Sequence, residues 1–388
     1  MKNKSGVSKN VIILGLVSFF NDIASEMVYP VVPIFLTSIL KAPASIVGLI
    51  EGIAESTASL LNAFSGWFSD KIKKRKIFIT TGYSLSTLSK LIIGLAQSWP
   101  FVLTGRFLDR FGKGIRTSSR DALIAESSDE SNRGKAFGLH RALDTLGAVV
   151  GPLLAIFLIK LFNNNLRFIF YLAFIPGIIA VLLLIFLVKE KQAEKQKTDL
   201  PKFNLKDLNP AFNIFLIASI VFALGNSSDT FLILRAKNLG LTTVLAIFAY
   251  ALFNVFYALF STPAGILSDK IGPKKLLIIG WFLFALIYLL FGINQSPLLV
   301  WFLFILYGFY MALTEGVGKA YVSLISDKNR MATFLGIYQM VLGICTFFAS
   351  LFAGLLWTYY NVQAPFIFGS IMAIIAAFLF IVLGKNKS

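Results

Sequence analysis

Long apolar stretches alternate with short polar breaks along the whole chain, and most stretches reach the roughly 20 residues that a helix needs to cross a bilayer. They fall near 11–38, 45–67, 76–97, 100–121, 136–160 and 166–188, then near 211–236, 242–267, 275–294, 297–321, 332–357 and 363–384. The pattern predicts an all-α membrane protein of twelve transmembrane helices. Tight turns are marked by Trp99-Pro100, Ser296-Pro297 and Ala364-Pro365. One break differs. Residues 189–209 form the only long polar stretch, with Pro201 and Pro210 near its end, and predict a linker between six-helix bundles at 1–188 and 210–388.

The halves repeat a charged turn. Gly66, Asp70, Lys71, Lys73, Lys74 and Arg75 follow the second stretch, and Gly265, Asp269, Lys270, Gly272, Lys274 and Lys275 follow the eighth. A turn repeated at the same place in both halves indicates a duplicated bundle.

Composition agrees with lipid as the solvent. The 388 residues are 57% hydrophobic and 14% charged, with 39 Phe and a mean hydropathy of +0.77. A net charge of +17 raises nucleic acid as a partner, but the basic residues lie in short clusters between apolar runs, which argues against it. Lys2, Lys4, Lys9, the cluster at 71–76, Arg133, Lys135, Lys270, Lys274, Lys275, Lys328, Arg330, Lys385 and Lys387 all fall on one side of the predicted bundle. Little beyond Lys41, Lys160, Arg167 and Lys237 falls on the other. That asymmetry predicts an inner, cytoplasmic membrane location with both termini cytoplasmic. No cleavage site follows the basic N-terminus, so no signal peptide is expected. Cys345 alone cannot build a disulfide framework, and one histidine cannot build a Cys/His metal cluster. With no nucleophile elbow or phosphate loop either, an enzyme is not expected, nor a cofactor.

Ionisable residues nevertheless sit inside the apolar stretches. Asp22 and Glu26 lie four apart, hence on one helical face, and Glu51 and Glu55 repeat that spacing. Counting rise per residue sets Asp22 level with Glu55, and Glu26 near Glu51. The fourth stretch carries Arg106, Asp109, Arg110, Lys113, Arg116 and Arg120, mostly on one stripe, and the fifth adds His140, Arg141 and Asp144. Two readings stand side by side. These groups neutralise one another as packing, with Lys113, Arg116, Arg120 and His140 snorkelling to the interface, or they line a wet path and move protons. The acids Asp22, Glu26, Glu51, Glu55, Asp109 and Asp144 are the proton candidates. The second half is sparser. Asn226, Ser227, Ser228 and Asp229 interrupt the seventh stretch, and Thr314, Glu315 and Lys319 sit late in the tenth, where Glu315 and Lys319 suit a local ion pair.

Two halves of six, the linker and the repeated turn together resemble the major facilitator superfamily. The second turn fits that family's loop pattern, including Gly272, whereas the first has Lys73 where the family has Gly. Gly147, Gly151 and Pro152 are similar to the Gly-x-x-x-Gly-Pro pattern of the family's antiporters and exporters, and by themselves predict a close helix contact and a bend. Asp109 and Arg110 depart from the exporters' Arg-Phe-x-Gln-Gly pattern.

The resemblance implies a secondary transporter for a small-molecule substrate, working by alternating access, and export in exchange for protons is the leading expectation. It places the first, fourth, seventh and tenth spans against a central cavity. Candidates to line that cavity are Arg106, Arg110, Lys113, His140, Arg141, Asn226, Asp229, Tyr310 and Glu315. Asp70, Arg75, Arg133, Asp269, Lys274 and Arg330 are the gating candidates, through helix caps or ion pairs. Partners are then the solute, protons and the bilayer, and the expected state is a monomer. Uptake or facilitated transport of an anionic metabolite, drawn by the basic stripe, is the alternative within transport. A non-transporting receptor or scaffold is the alternative outside it.

Overall fold

Helix boundaries follow from local chemistry. In the computed structural model, which describes residues 8–72, 74–129, 132–190, 209–326 and 331–384, side chains cap several helix starts. Ser8, Asn165, Asn209 and Thr242 each accept a backbone N–H at an N-terminus, and Pro100, Pro210, Pro273, Pro297 and Pro365 occupy first turns, where no donor is missed. The helices are α1 (Lys9–Val28), α2 (Val32–Ile34), α3 (Ala44–Ile72), α4 (Arg75–Gly94), α5 (Trp99–Glu126), α6 (Arg133–Leu161) and α7 (Leu166–Leu187). They continue with α8 (Pro210–Gly225), α9 (Thr230–Asn238), α10 (Thr243–Ile271), α11 (Pro273–Ile293), α12 (Pro297–Ile325), α13 (Met331–Tyr359) and α14 (Ala364–Leu383). Eleven spans are long and apolar enough to cross a membrane, and α5, loaded with charge, is the twelfth.

Two spans are broken. The stretch at 11–38 is not one helix as expected: α1 ends before Pro30, α2 restarts at Val32, and a π-helical turn at Phe35–Ile39 completes the span. Pro30 and Pro33 lack the backbone donors that would carry the helix through. The seventh span is α8 plus α9, interrupted at Asn226–Asp229 as the polar residues there foretell. Several helices run a turn beyond the expected ends, so Asp70 and Asp269 lie on helix rather than in a turn. Gly272 ends α10 at φ +90°, a conformation that only glycine adopts cheaply. The equivalent Lys73, most of the linker and Arg330 lie outside the described residues, as does the Asp70 side chain.

The chain divides into two compact units. One comprises Met1–Lys41 with Ile53–Leu200, the other Ala42–Gly52 with Pro201–Ser388, so the first turns of α3 belong with the second unit. Small residues explain that departure from a division at the linker. A Cβ on Gly48 would stand 2.2 Å from the Ser350 carbonyl, and one on Gly354 2.6 Å from that of Ala44, so backbones touch there. Ser45 N–H also donates to the Thr358 hydroxyl at 2.9 Å.

Within the first unit α1 lies parallel to α6. A Cβ on Gly147 would meet the Phe19 carbonyl at 2.5 Å and the Asp22 Cβ at 3.0 Å, and one on Gly151 the Glu26 Cβ at 2.8 Å. The pair Gly147 and Gly151 thus lets α6 approach the acidic face of α1, and α6 continues through Pro152 without ending. Helices α4 and α5 meet the same way, through Gly82 and Gly112, each aimed at the other's carbonyl.

Each unit also uses an arginine, half-buried Arg167 in the first and buried Arg235 in the second, to close its third span. Arg167 donates to the Gly94 carbonyl at the end of α4 (2.8 Å), and Arg235 to the Phe291, Gly292 and Asn294 carbonyls at the end of α11. These carbonyls have no helical partner, so the cations satisfy both hydrogen bonding and the helix dipole.

Candidate functional site

Charges inside the first unit form one connected network around α5. Lys90 on α4, which the sequence reading passed over, is 1% exposed and pairs with Asp109 at 2.8 Å, with Ser25 at 3.3 Å. Arg106 lies 3.7 Å from Asp109 and 3.9 Å from Glu55, and Arg110 pairs with Glu55 at 2.7 Å. Both guanidinium groups stand over the Tyr29 ring, at 5.4 and 5.7 Å. Arg116 is turned inward, bonded to the Ser86 hydroxyl at 2.6 Å and stacked 4.5 Å over Tyr83. A lone lysine within an apolar run was the available signal for Lys90.

The four acids paired by the sequence reading are divided by the structure. Glu55 is taken by arginines. Asp22 instead lies beside Asp144 of α6, in the seam opened by Gly147. Two carboxyl groups brought together away from bulk water favour holding a proton between them. Arg116, Glu26, Arg120, His140 and Arg141 supply the surrounding charges, with Arg141 3.3 Å from Asp144. Glu51 is buried and belongs with the second unit, whereas Asp22, Glu26 and Glu55 keep accessible surface.

Other candidates are placed differently from expectation. Arg106 and Asp109 are buried in their pairs, and Arg116 does not snorkel. His140 is buried too, 2.8 Å from the Ser18 hydroxyl, which also contacts Tyr83 and Arg120. Lys113 is the contrast. It is exposed near the middle of α5, about 21 Å along the axis from Trp99 by helical rise.

The second unit has hydroxyls where the first has charges. At the α8–α9 break the Tyr307 hydroxyl donates to Asp229 at 2.6 Å, and Asn226 donates to Tyr310 at 3.3 Å. Tyr288, Tyr307 and Tyr310 are almost fully buried among Phe222, Phe284 and Trp281, so Tyr310 does not line an open cavity here. The expected Glu315–Lys319 pair is absent among the described residues. Glu315 is exposed and accepts the Tyr257 hydroxyl of α10.

Two of the gating candidates, Arg75 and Lys274, make ties within their own unit. Arg75 holds Glu126 at 3.1 Å and the Ser69 hydroxyl at 2.8 Å, while Glu190 accepts the Arg75 and Lys76 N–H groups and so caps α4. Lys274 donates to the Gly384 carbonyl at the end of α14 (2.6 Å), and Arg133 and Asp269 are exposed. No cluster of His, Cys, Asp and Glu suited to a metal ion occurs among the described residues.

Charged groups held at mid-span, two units of six spans each and broken first spans are the frame in which known relatives fall. The model of the Major Facilitator Superfamily matches residues 14–254 and 214–387. The chain belongs to the major facilitator superfamily. An uncharacterized MFS-type transporter of Methanocaldococcus jannaschii is 40% identical over 97% of this chain and 96% of its own. The multidrug resistance protein MdtG of Klebsiella pneumoniae is 26% identical over 75% of this chain and 73% of its own. In three dimensions the nucleoside transporter NupG aligns with a TM-score of 0.80 at 17% identity, covering 97% of this chain and 99% of that one. A POT family transporter crystallised with 5-aminolevulinic acid aligns at 0.83 and 13% identity, covering 100% and 98%. These likenesses establish a multi-pass membrane transporter of a small-molecule substrate, not an enzyme.

Proposed function

We propose that this superfamily member is a secondary active transporter that exports a small organic solute in exchange for protons by alternating access. It works without a resident cofactor, as a monomer in the cytoplasmic membrane, with both termini in the cytoplasm. The observation that carries the reading is that Asp22, Glu26, Glu55 and Lys113 keep accessible surface at mid-span. Lipid does not tolerate such charge at that depth, so these side chains face water. Asp22, which faces Asp144 across the α1–α6 seam, is the group to load from one side and discharge to the other. Its neighbour Gly147 ties that event to the packing of α1 on α6. The antiporter-like Gly147–Pro152 segment and the multidrug resistance relative both favour export.

A growth-protection panel of toxic compounds finds the solute. The same compound is then driven through proteoliposomes by an imposed proton gradient. Coupled proton movement is expected in the parent and lost in Asp22→Asn. Protection with no accompanying proton flux would overturn the coupling.

A further inference from the structure

Facing side chains of α1 and α6 stack in layers one helical turn apart. A Cβ on Gly15 would stand 2.6 Å from Leu143, and His140 Nε2 lies 2.8 Å from the Ser18 hydroxyl. Asp22 and Asp144 each lie four residues further along, on the same helix faces, and so form the next layer. Glu26 and Gly151 meet beyond them. The chain's one histidine therefore sits directly below the carboxyl pair, toward the N-termini of both helices. Ser18 also contacts the Tyr83 hydroxyl of α4 at 3.1 Å and accepts from Arg120 of α5 at 3.4 Å. The charges that face the ring are Arg120 and Asp121 of α5 with Asp144 and Arg141 of α6. Asp22 of α1 and Arg116 of α5, which stands over Tyr83, lie next to these. His140 is only 5% exposed, whereas Asp121, about 7 Å by helical rise from the end of α5, keeps 44% of its side chain exposed.

We infer that His140 is a proton relay between the Asp22–Asp144 pair and water at the N-terminal end of the α1–α6 seam, with Asp121 as its outlet. This rests on the proton-coupled reading above and adds the route by which the proton reaches one side. A carboxyl O–H of the pair gives its proton to a ring nitrogen, leaving a carboxylate and an imidazolium. The imidazolium passes a proton to the Asp121 carboxylate and returns to neutral, and the Asp121 acid releases that proton to water. Uptake runs the same steps backwards. Ser18 holds the ring beneath the pair, and Arg120 holds Asp121 at 3.0 Å beside it. Packing alone would not call for an imidazole, since an amide satisfies the Ser18 hydroxyl as well. An imidazole is the side chain suited both to take and to give a proton near neutral pH.

The test needs neither the solute nor transport, because a single histidine gives a single set of ring signals. Full-length protein carrying isotope-labelled histidine is titrated by NMR in detergent. The His140 signal should titrate in two steps in the parent, since coupled groups release their protons jointly. In the double variant Asp22→Asn with Asp144→Asn it should titrate in one step, with proton affinity lowered about tenfold by the lost negative charge. Exchange of the ring proton with water is read from the same signal. Asp121→Asn should slow it about a hundredfold, as loss of a positioned proton acceptor does, and Asp121→Glu should restore it. A histidine that only packs keeps its exchange rate in Asp121→Asn. A signal that ignores the carboxyl pair, or an exchange rate that ignores Asp121, overturns the relay. Proton flux is not read, so failure here leaves proton-coupled export standing. Loss of coupling with both NMR results intact leaves the relay standing.

Discussion

The two units repeat one scaffold and fill it with opposite chemistry. Each has a broken first span, an arginine closing the end of its third span, and glycine seams that bring backbones together. Yet the first unit gathers Lys90, Asp109, Arg106, Glu55, Arg110, Asp22 and Asp144, while the second gathers Tyr288, Tyr307, Tyr310, Asn226 and Asp229 at its α8–α9 break. Duplication therefore conserves what holds helices together and leaves free what lines them. The proposed proton exchange is assigned to the charged unit.

The sharpest way to break this contrast is to unbalance the first unit. Lys90→Met leaves Asp109 buried beside Arg106 alone, and a loss of about 3–5 kcal/mol is expected, as when one partner of a buried pair is removed. It is read as a fall in melting temperature in detergent, and the double variant with Asp109→Leu should recover much of it. Next in size is the α1–α6 seam. Gly151→Val forces a side chain where a Cβ already stands 2.8 Å from Glu26, and overpacking of this kind costs about 1–3 kcal/mol. Transport should fall further than stability does, because the seam holds Asp22 and Asp144. The smallest effect belongs to the second unit. Tyr307→Phe removes the donor to Asp229 but keeps the ring, and about 0.6 kcal/mol is expected for one hydrogen bond within a membrane bundle. Proton coupling should persist in that variant. Coupling lost there and kept in the first-unit variants would reverse the assignment of roles.

Sequence made the scaffold legible because lipid imposes one rule on every span, about 20 apolar residues with breaks between them. The twelve spans, the interruption at Asn226–Asp229 and the contact surface of Gly147 and Gly151 were all readable on that basis. Partners were not. Whether Glu55 turns to Asp22 or to Arg110 depends on how α3 and α5 rotate against each other, and periodicity along one helix carries no such information. Lys90 was lost for a related reason: its partner Asp109 lies on another helix, and spacing along α4 does not show it. The break at Pro30 was legible in principle, since two prolines three apart each remove a backbone donor from the same turn and together strongly disfavour an uninterrupted helix.

The account turns on mid-span acids that meet water and exchange a proton as the solute crosses. Proteoliposomes carrying an internal pH dye and the compound found by growth protection test it most directly. The parent should move protons opposite to the compound, Asp22→Asn and Glu26→Gln should lose that movement, and Tyr307→Phe should keep it. Full coupled exchange in both Asp22→Asn and Glu26→Gln would contradict the account.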